Sequence, residues 1–185
     1  MANEWEKNKS ALQPPRPVKK VKTISLGDCS LFSMTIGTRV LKKQVYQRRT
    51  GVPLYSANVR KVFGFVEKTV HGHLDKGGVL WSIDSDFDAR GVSKGESYEI
   101  TDHCGQLTLL VDNIDPDYLA QQIKQAGLDM GLGRDYRASL TIMADLQVDL
   151  PVDSKGNFDL ELMRQWTSFQ EELDQRAGKL AKLLG

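Results

Sequence analysis

Leu162, Trp166, Phe169, Leu173, Leu180 and Leu183 recur at alternating steps of four and three, with Arg176 in the step between Leu173 and Leu180. That spacing lays an apolar seam along one face of a helix and predicts a facing helix. At a rise of about 1.5 Å per residue, roughly 25 helical residues reach on the order of 38 Å, the width of a small domain. Such a helix either projects or is met by another chain. Before it the pattern changes to Leu146, Val148 and Leu150 at alternate positions, a strand, stopped by Pro151 and followed by a turn at Asp153–Asn157.

Upstream, short strand patterns fall at 52–57, 62–67, 78–84, 97–100 and 107–112, each fenced by Gly, Asp, Asn or Ser. One internal helix is well marked: Asp115 caps it, Pro116 takes the first helical position, Leu119 and Ile123 share a face, and Gly127 ends it. A short helix is expected over 138–144, and another opening at Ser25, with Asp28 three residues on. Short strands with few helices and uneven connections predict an irregular α+β fold with a mixed sheet. The expected organisation is a flexible basic arm over 1–22, a globular domain over 23–152, and a turn and long coiled-coil-type helix over 153–185. Pro14, Pro15 and Pro17 and a polar composition leave the arm little to bury.

Charge sharpens this. The net charge of +1 hides an asymmetry: residues 1–70 hold 14 Lys and Arg against four acids, leaving 11 against 20 in the remainder. A basic half points to a polyanion partner, unless the halves neutralise each other across the fold. No apolar run reaches the roughly 18 residues of a membrane span, and two cysteines, Cys29 and Cys104, fit a reducing cytoplasm better than a disulfide framework.

Catalytic patterns are weak. His71 and His73, with His103 beside Cys104, have the residue types of a zinc site but no CxxC or HExxH, so surface or loop histidines are the expectation. Asp84, Asp86 and Asp88 alternate ahead of Glu96, a set that would suit a metal-dependent nuclease, yet no acid-x-Lys spacing follows and a solvated acidic turn is the plainer reading. Gly127, Gly131 and Gly133 lack the Gly-Lys-Ser/Thr of a phosphate loop and read as a hinge or loop.

Binding chemistry remains. Residues 48–61 read RRTGVPLYSANVRK, in which Arg48, Arg49, Arg60 and Lys61 suit phosphates or guanine edges, Asn58 suits adenine, and Tyr55 suits either base stacking or the core. Lys42, Lys43, Ser56, Arg90, Arg134 and Arg137 complete the candidate DNA-contacting set. Three classes stay open: a DNA-recognition subunit, a small nuclease built on the aspartates, and an interaction adaptor built on the helix.

Gly51-Val-Pro-Leu-Tyr-Ser-Ala57 followed by Phe63-Gly-Phe-Val66 resembles the opening of target-recognition domains in type I restriction–modification specificity subunits. Leu80-Trp-Ser-Ile-Asp84, Ile100-Thr-Asp-His-Cys-Gly105 and Ile114-Asp-Pro-Asp-Tyr-Leu119 are similar to that family's central segments, and Leu150-Pro-Val152 with Gly156-x-Phe-Asp-Leu160 to the junction with its conserved helix. The resemblance spans about residues 24–184 and departs at Asp84–Gly91, where many members carry Asp-Gly-x-x-Gly. It implies a non-catalytic half-subunit that reads one half of a split site in double-stranded DNA. It further implies a homodimer through antiparallel helices, docking of an adenine methyltransferase and a restriction subunit, and no cofactor on this chain, S-adenosylmethionine belonging to the methyltransferase.

Overall fold

Gly78–Ser82 is buried at every position, and in a strand that requires cover on both faces. Val79 and Trp81 enter one apolar cluster and Leu80 the other. The computed structural model that shows this describes residues 13–46 and 50–184, with the backbone alone at Leu183 and Leu184.

The strands are β1 (Val21–Ser25), β2 (Phe32–Ile36), β3 (Val52–Tyr55), β4 (Gly64–Val66), β5 (Gly78–Ser82), β6 (Ala89–Val92), β7 (Glu99–Ile100), β8 (Cys104–Leu109) and β9 (Gln147–Pro151). The helices are α1 (Pro116–Asp129), α2 (Leu140–Asp145) and α3 (Leu160–Leu184), with a 3-10 turn at Lys42–Gln44. They form an antiparallel sheet in the order β2-β8-β5-β6, a mixed sheet β4-β3-β7 and a two-stranded β1-β9 pair. The larger cluster gathers Trp81, Phe87, Leu107, Leu119, Ile123, Leu150 and Met163 from the main sheet, the β5–β6 connection, α1, β9 and α3. On the other face Leu80, Val92 and Cys104 meet Tyr98, Ile100 and Val59. Two large polar tips inside are satisfied: Trp81 Nε1 donates to Ala138 O at 2.9 Å, and Tyr98 Oη to Gln106 Oε1 at 2.8 Å.

The α+β class and the long helix match expectation; several boundaries do not. β1 begins at Val21, inside the expected arm, because it pairs with β9 from Val21↔Pro151 to Ser25↔Gln147. No helix opens at Ser25: its hydroxyl donates to Ala144 O at 2.5 Å, and Asp28 turns the chain by accepting from Ser30 N. Gly127 does not end α1, which runs to Asp129; a Cβ there would sit about 2.0 Å from the Phe87 ring, so this glycine permits helix–loop contact. The left-handed turn falls at Gly131, φ +82°. The cap is as expected, Asp115 Oδ1 accepting from Tyr118 N at 2.8 Å.

Asp159 caps α3, its Oδ1 accepting from Leu162 N at 3.1 Å and its carboxylate pairing with Arg16. Asp115 ties the helix to the domain, accepting from Thr167 Oγ1 at 3.1 Å. The seam is split. Leu162 is 3% exposed and, with Met163, is covered by its own domain rather than left for a partner. Trp166 and Phe169 are half-buried and meet edge to face at 5.7 Å. From Gln170 to Lys182 every residue but Arg176 is exposed, including Leu173 at 38% and Leu180 at 59%. Leu183's side chain lies outside the described residues.

Candidate nucleic-acid interface

The connection from β5 to β6 organises the polar chemistry of the domain. Ile83 and Phe87 turn into the core cluster. Ser82 Oγ accepts from Asp88 N at 2.8 Å and donates to Asp86 O at 3.0 Å, closing the loop on itself. Asp84, Asp86 and Asp88 then stand on the outer side, and each takes a cation from a different part of the chain.

Asp84 Oδ2 accepts from His103 Nδ1 at 2.7 Å and from Arg137 Nη2 at 3.2 Å. Asp86 Oδ1 lies 3.3 Å from Arg134 Nε. Asp88 takes Arg60 through Nε at 2.6 Å and Nη2 at 3.2 Å, and Lys124 Nζ at 3.0 Å. Partial burial alone would raise the Asp88 pKa, but the Arg60 and Lys124 contacts outweigh it and hold the carboxyl below its ordinary range. The segment 50–61 reaches the same place: Ser85 Oγ donates to Ala57 O at 2.7 Å. A cleft of about 450 Å³ between them is lined by Asn58, Ser85, Asp86, Lys124 and Arg134 among others.

The fold therefore brings Asn58, Arg60, Arg134 and Arg137 around one loop. Lys124, not singled out by the sequence, and His103, read there only as a surface or loop histidine, join them; their aspartate partners lie far away in the chain, and local pattern carries no signal of that. Asn58 cannot read adenine through both ends of its amide as placed. Its Oδ1 already accepts from Arg60 N and Lys61 N, each at 3.0 Å, which uses both lone pairs. Ser56 Oγ is engaged with Thr101 Oγ1 at 2.8 Å. Tyr55 and Arg90 face each other at 4.4 Å inside the fold. Arg90, with a side chain only 19% exposed, also pairs with Glu96 at 2.9 Å, so this couple braces the domain. Lys42, Lys43 and Lys61 are exposed and have no ion pair among the described residues. Arg48 and Arg49 lie outside the described residues.

The metal readings lose their ligands to other partners. Every aspartate of the 84–88 loop is occupied by a cation, and no group of three His, Cys, Asp or Glu able to hold a metal occurs among the described residues. His71 is not at the surface: its side chain is 9% exposed and pairs with the buried Glu99, which also accepts from Val70 N and Ile100 N. His73 sits apart, near Gly95 O at 3.3 Å. Cys104 is buried, and that burial pushes its thiol up to about 12. No helix among the described residues is long and apolar enough to cross a membrane.

No protein-family model and no curated protein sequence matches the chain. Solved structures do. The type I restriction–modification S subunit from M. genitalium superposes with a TM-score of 0.64 at 17% identity, over 90% of this chain and 42% of that one. The HsdS subunit from Thermoanaerobacter tengcongensis gives 0.63 at 12% identity, over 94% of this chain and 41% of that one. A chain from a type I system, in a structure concerned with complex assembly and conformational transition, gives 0.59 at 13%, over 91% and 43%. This chain thus has the fold of type I restriction–modification S subunits, over somewhat less than half of their length.

Proposed function

We propose that the chain is a DNA-specificity module of a type I restriction–modification system, non-catalytic itself, that reads one half of a split duplex site. The observation that carries this reading is the likeness to S subunits over at least 90% of this chain but at most 43% of theirs. In this reading the domain lies on DNA, with Lys42, Lys43 and Lys61 neutralising phosphates and the cluster around residues 84–88 facing base edges. The exposed distal half of α3 joins a second copy through Leu173 and Leu180 and docks an adenine methyltransferase, which supplies S-adenosylmethionine chemistry.

The test is duplex binding by the whole chain across a salt series. Three lysine–phosphate contacts give a slope of log affinity against log salt of about −3, a loss of roughly fortyfold between about 50 and about 200 mM. Lys42→Glu with Lys43→Glu should lower affinity for all duplexes alike and flatten that slope by about 2. Affinity that stays level across the series sinks the DNA-binding reading. The adaptor reading gains if the domain ignores DNA while α3 still captures the methyltransferase.

A further inference from the structure

We propose that Arg134 and Arg137 read guanine edges, and that Asp86 and Asp84 are positioning residues that hold them for it. This rests on the DNA-binding reading above and goes beyond it by assigning the reading atoms.

Both arginines stand on one connection, between α1 and α2, pinned at each end by buried residues. Leu132 is 4% exposed; Ala138 is fully buried, donates its N–H to Ile83 O at 3.0 Å and accepts from Trp81 Nε1. The backbone between them is closed by Gly133 N donating to Tyr136 O at 2.9 Å. Two long side chains thus project from a fixed base, 73% and 61% exposed.

Their aspartate contacts leave the useful edge free. A guanidinium has five N–H donors in a planar fork, and guanine takes two of them on O6 and N7. Asp86 Oδ1 pairs with Arg134 across 3.3 Å from Nε, and Nη1 and Nη2 make no hydrogen bond among the described residues, so the Nη1–Nη2 edge remains. Asp84 engages Arg137 through one N–H of Nη2, which leaves Nη1 and the second Nη2 proton. Arg60 differs: its Nε and Nη2 go to Asp88 and its Nη2 also to Ala89 O at 2.8 Å, so no paired edge is left and it is a structural clamp.

A carboxylate beside each arginine does two further things. It restricts a flexible side chain before DNA arrives, lowering the entropy lost on binding. It also makes the pair neutral, so a phosphate is repelled by the aspartate while an uncharged guanine acceptor is not. An arginine meant for the backbone needs neither.

The experiment uses the full chain. Its preferred duplex is selected from a randomised pool, and each guanine in it is then replaced singly by 7-deazaguanine, which removes N7. Wild-type protein should lose about tenfold at one or two guanines. Asp86→Asn, whose native carboxylate is 93% exposed and therefore dispensable for folding, should abolish the loss at one of them. It should lower the ratio of selected to scrambled affinity about tenfold while strengthening scrambled binding, because a negative charge has gone. Asp84→Asn should do the same at the other guanine, and Asp86→Glu should restore part of the ratio. Failure of the wild type to bind any duplex in a salt-sensitive way overturns the parent reading. Salt-sensitive binding with no 7-deazaguanine effect, or Asp86→Asn that leaves the ratio unchanged or weakens both duplexes equally, overturns this assignment alone.

Discussion

The two halves of α3 obey different rules although one apolar seam runs through both. In the first, Leu162 and Met163 are buried, Trp166 and Phe169 are partly covered, and Asp115 bonds to Thr167. In the second, Leu173 and Leu180 stand in solvent beside charged neighbours. The first half is part of the domain's core; the second is a rod with an uncovered edge. An isolated helix of that length is marginal in water, so the first half serves as the preformed nucleus from which the second extends. A heptad-like stripe is therefore two sites in sequence, one already satisfied inside the molecule.

The comparison can be broken most strongly in the covered half. Met163 is 0% exposed, and Met163→Ala should cost about 2–5 kcal/mol of folding stability in urea unfolding. A loss below about 1 kcal/mol would mean the first half is not integral to the core. The opposite result is expected across the boundary. Leu173→Asp should change domain stability by no more than about 0.5 kcal/mol, yet reduce self-association or methyltransferase capture, since a charge in an apolar seam is costly to bury. Unchanged mass by light scattering together with unchanged pull-down would remove the role proposed for the second half.

The smallest effect lies at the join. Burial first, then the nearby Asp115 and Glu171, raise the Asp117 pKa. A carboxyl that binds its proton more tightly folded than unfolded costs stability above its folded pKa and stops costing it as pH falls below its unfolded value. Asp117→Asn should therefore stabilise the protein modestly near neutrality, with the gain shrinking on acidification. A gain that is constant with pH would assign it to packing instead.

Local pattern was a good guide wherever the determining contacts were local. The α1 cap at Asp115, the turn at Asp153 and the length of α3 follow from spacings of a few residues, and they stand as read. Strands β1, β2 and β6 were not marked, because VKTIS, FSMTI and ARGV are short and lie at sheet edges, with polar or charged members that only a partner strand justifies. The partner of β1 sits at 147–151. The cationic residues of the candidate site were visible as types. Which of them act together was not, because Arg137 meets Asp84 across 53 positions and Arg60 meets Asp88 across 28.

By itself the sequence determined the α+β class, the projecting helix with its stripe, and the charge contrast between the ends of the chain. All of these are sums or short periods that any conformation of the same chain must respect. Only the tertiary structure decided that half of the stripe is consumed internally, that Tyr55 and Arg90 brace each other, and that three aspartates of one loop pair with arginines drawn from positions 60, 134 and 137. Ion pairs and burial depend on which surfaces long-range folding brings within a few ångströms, and no local spacing encodes that.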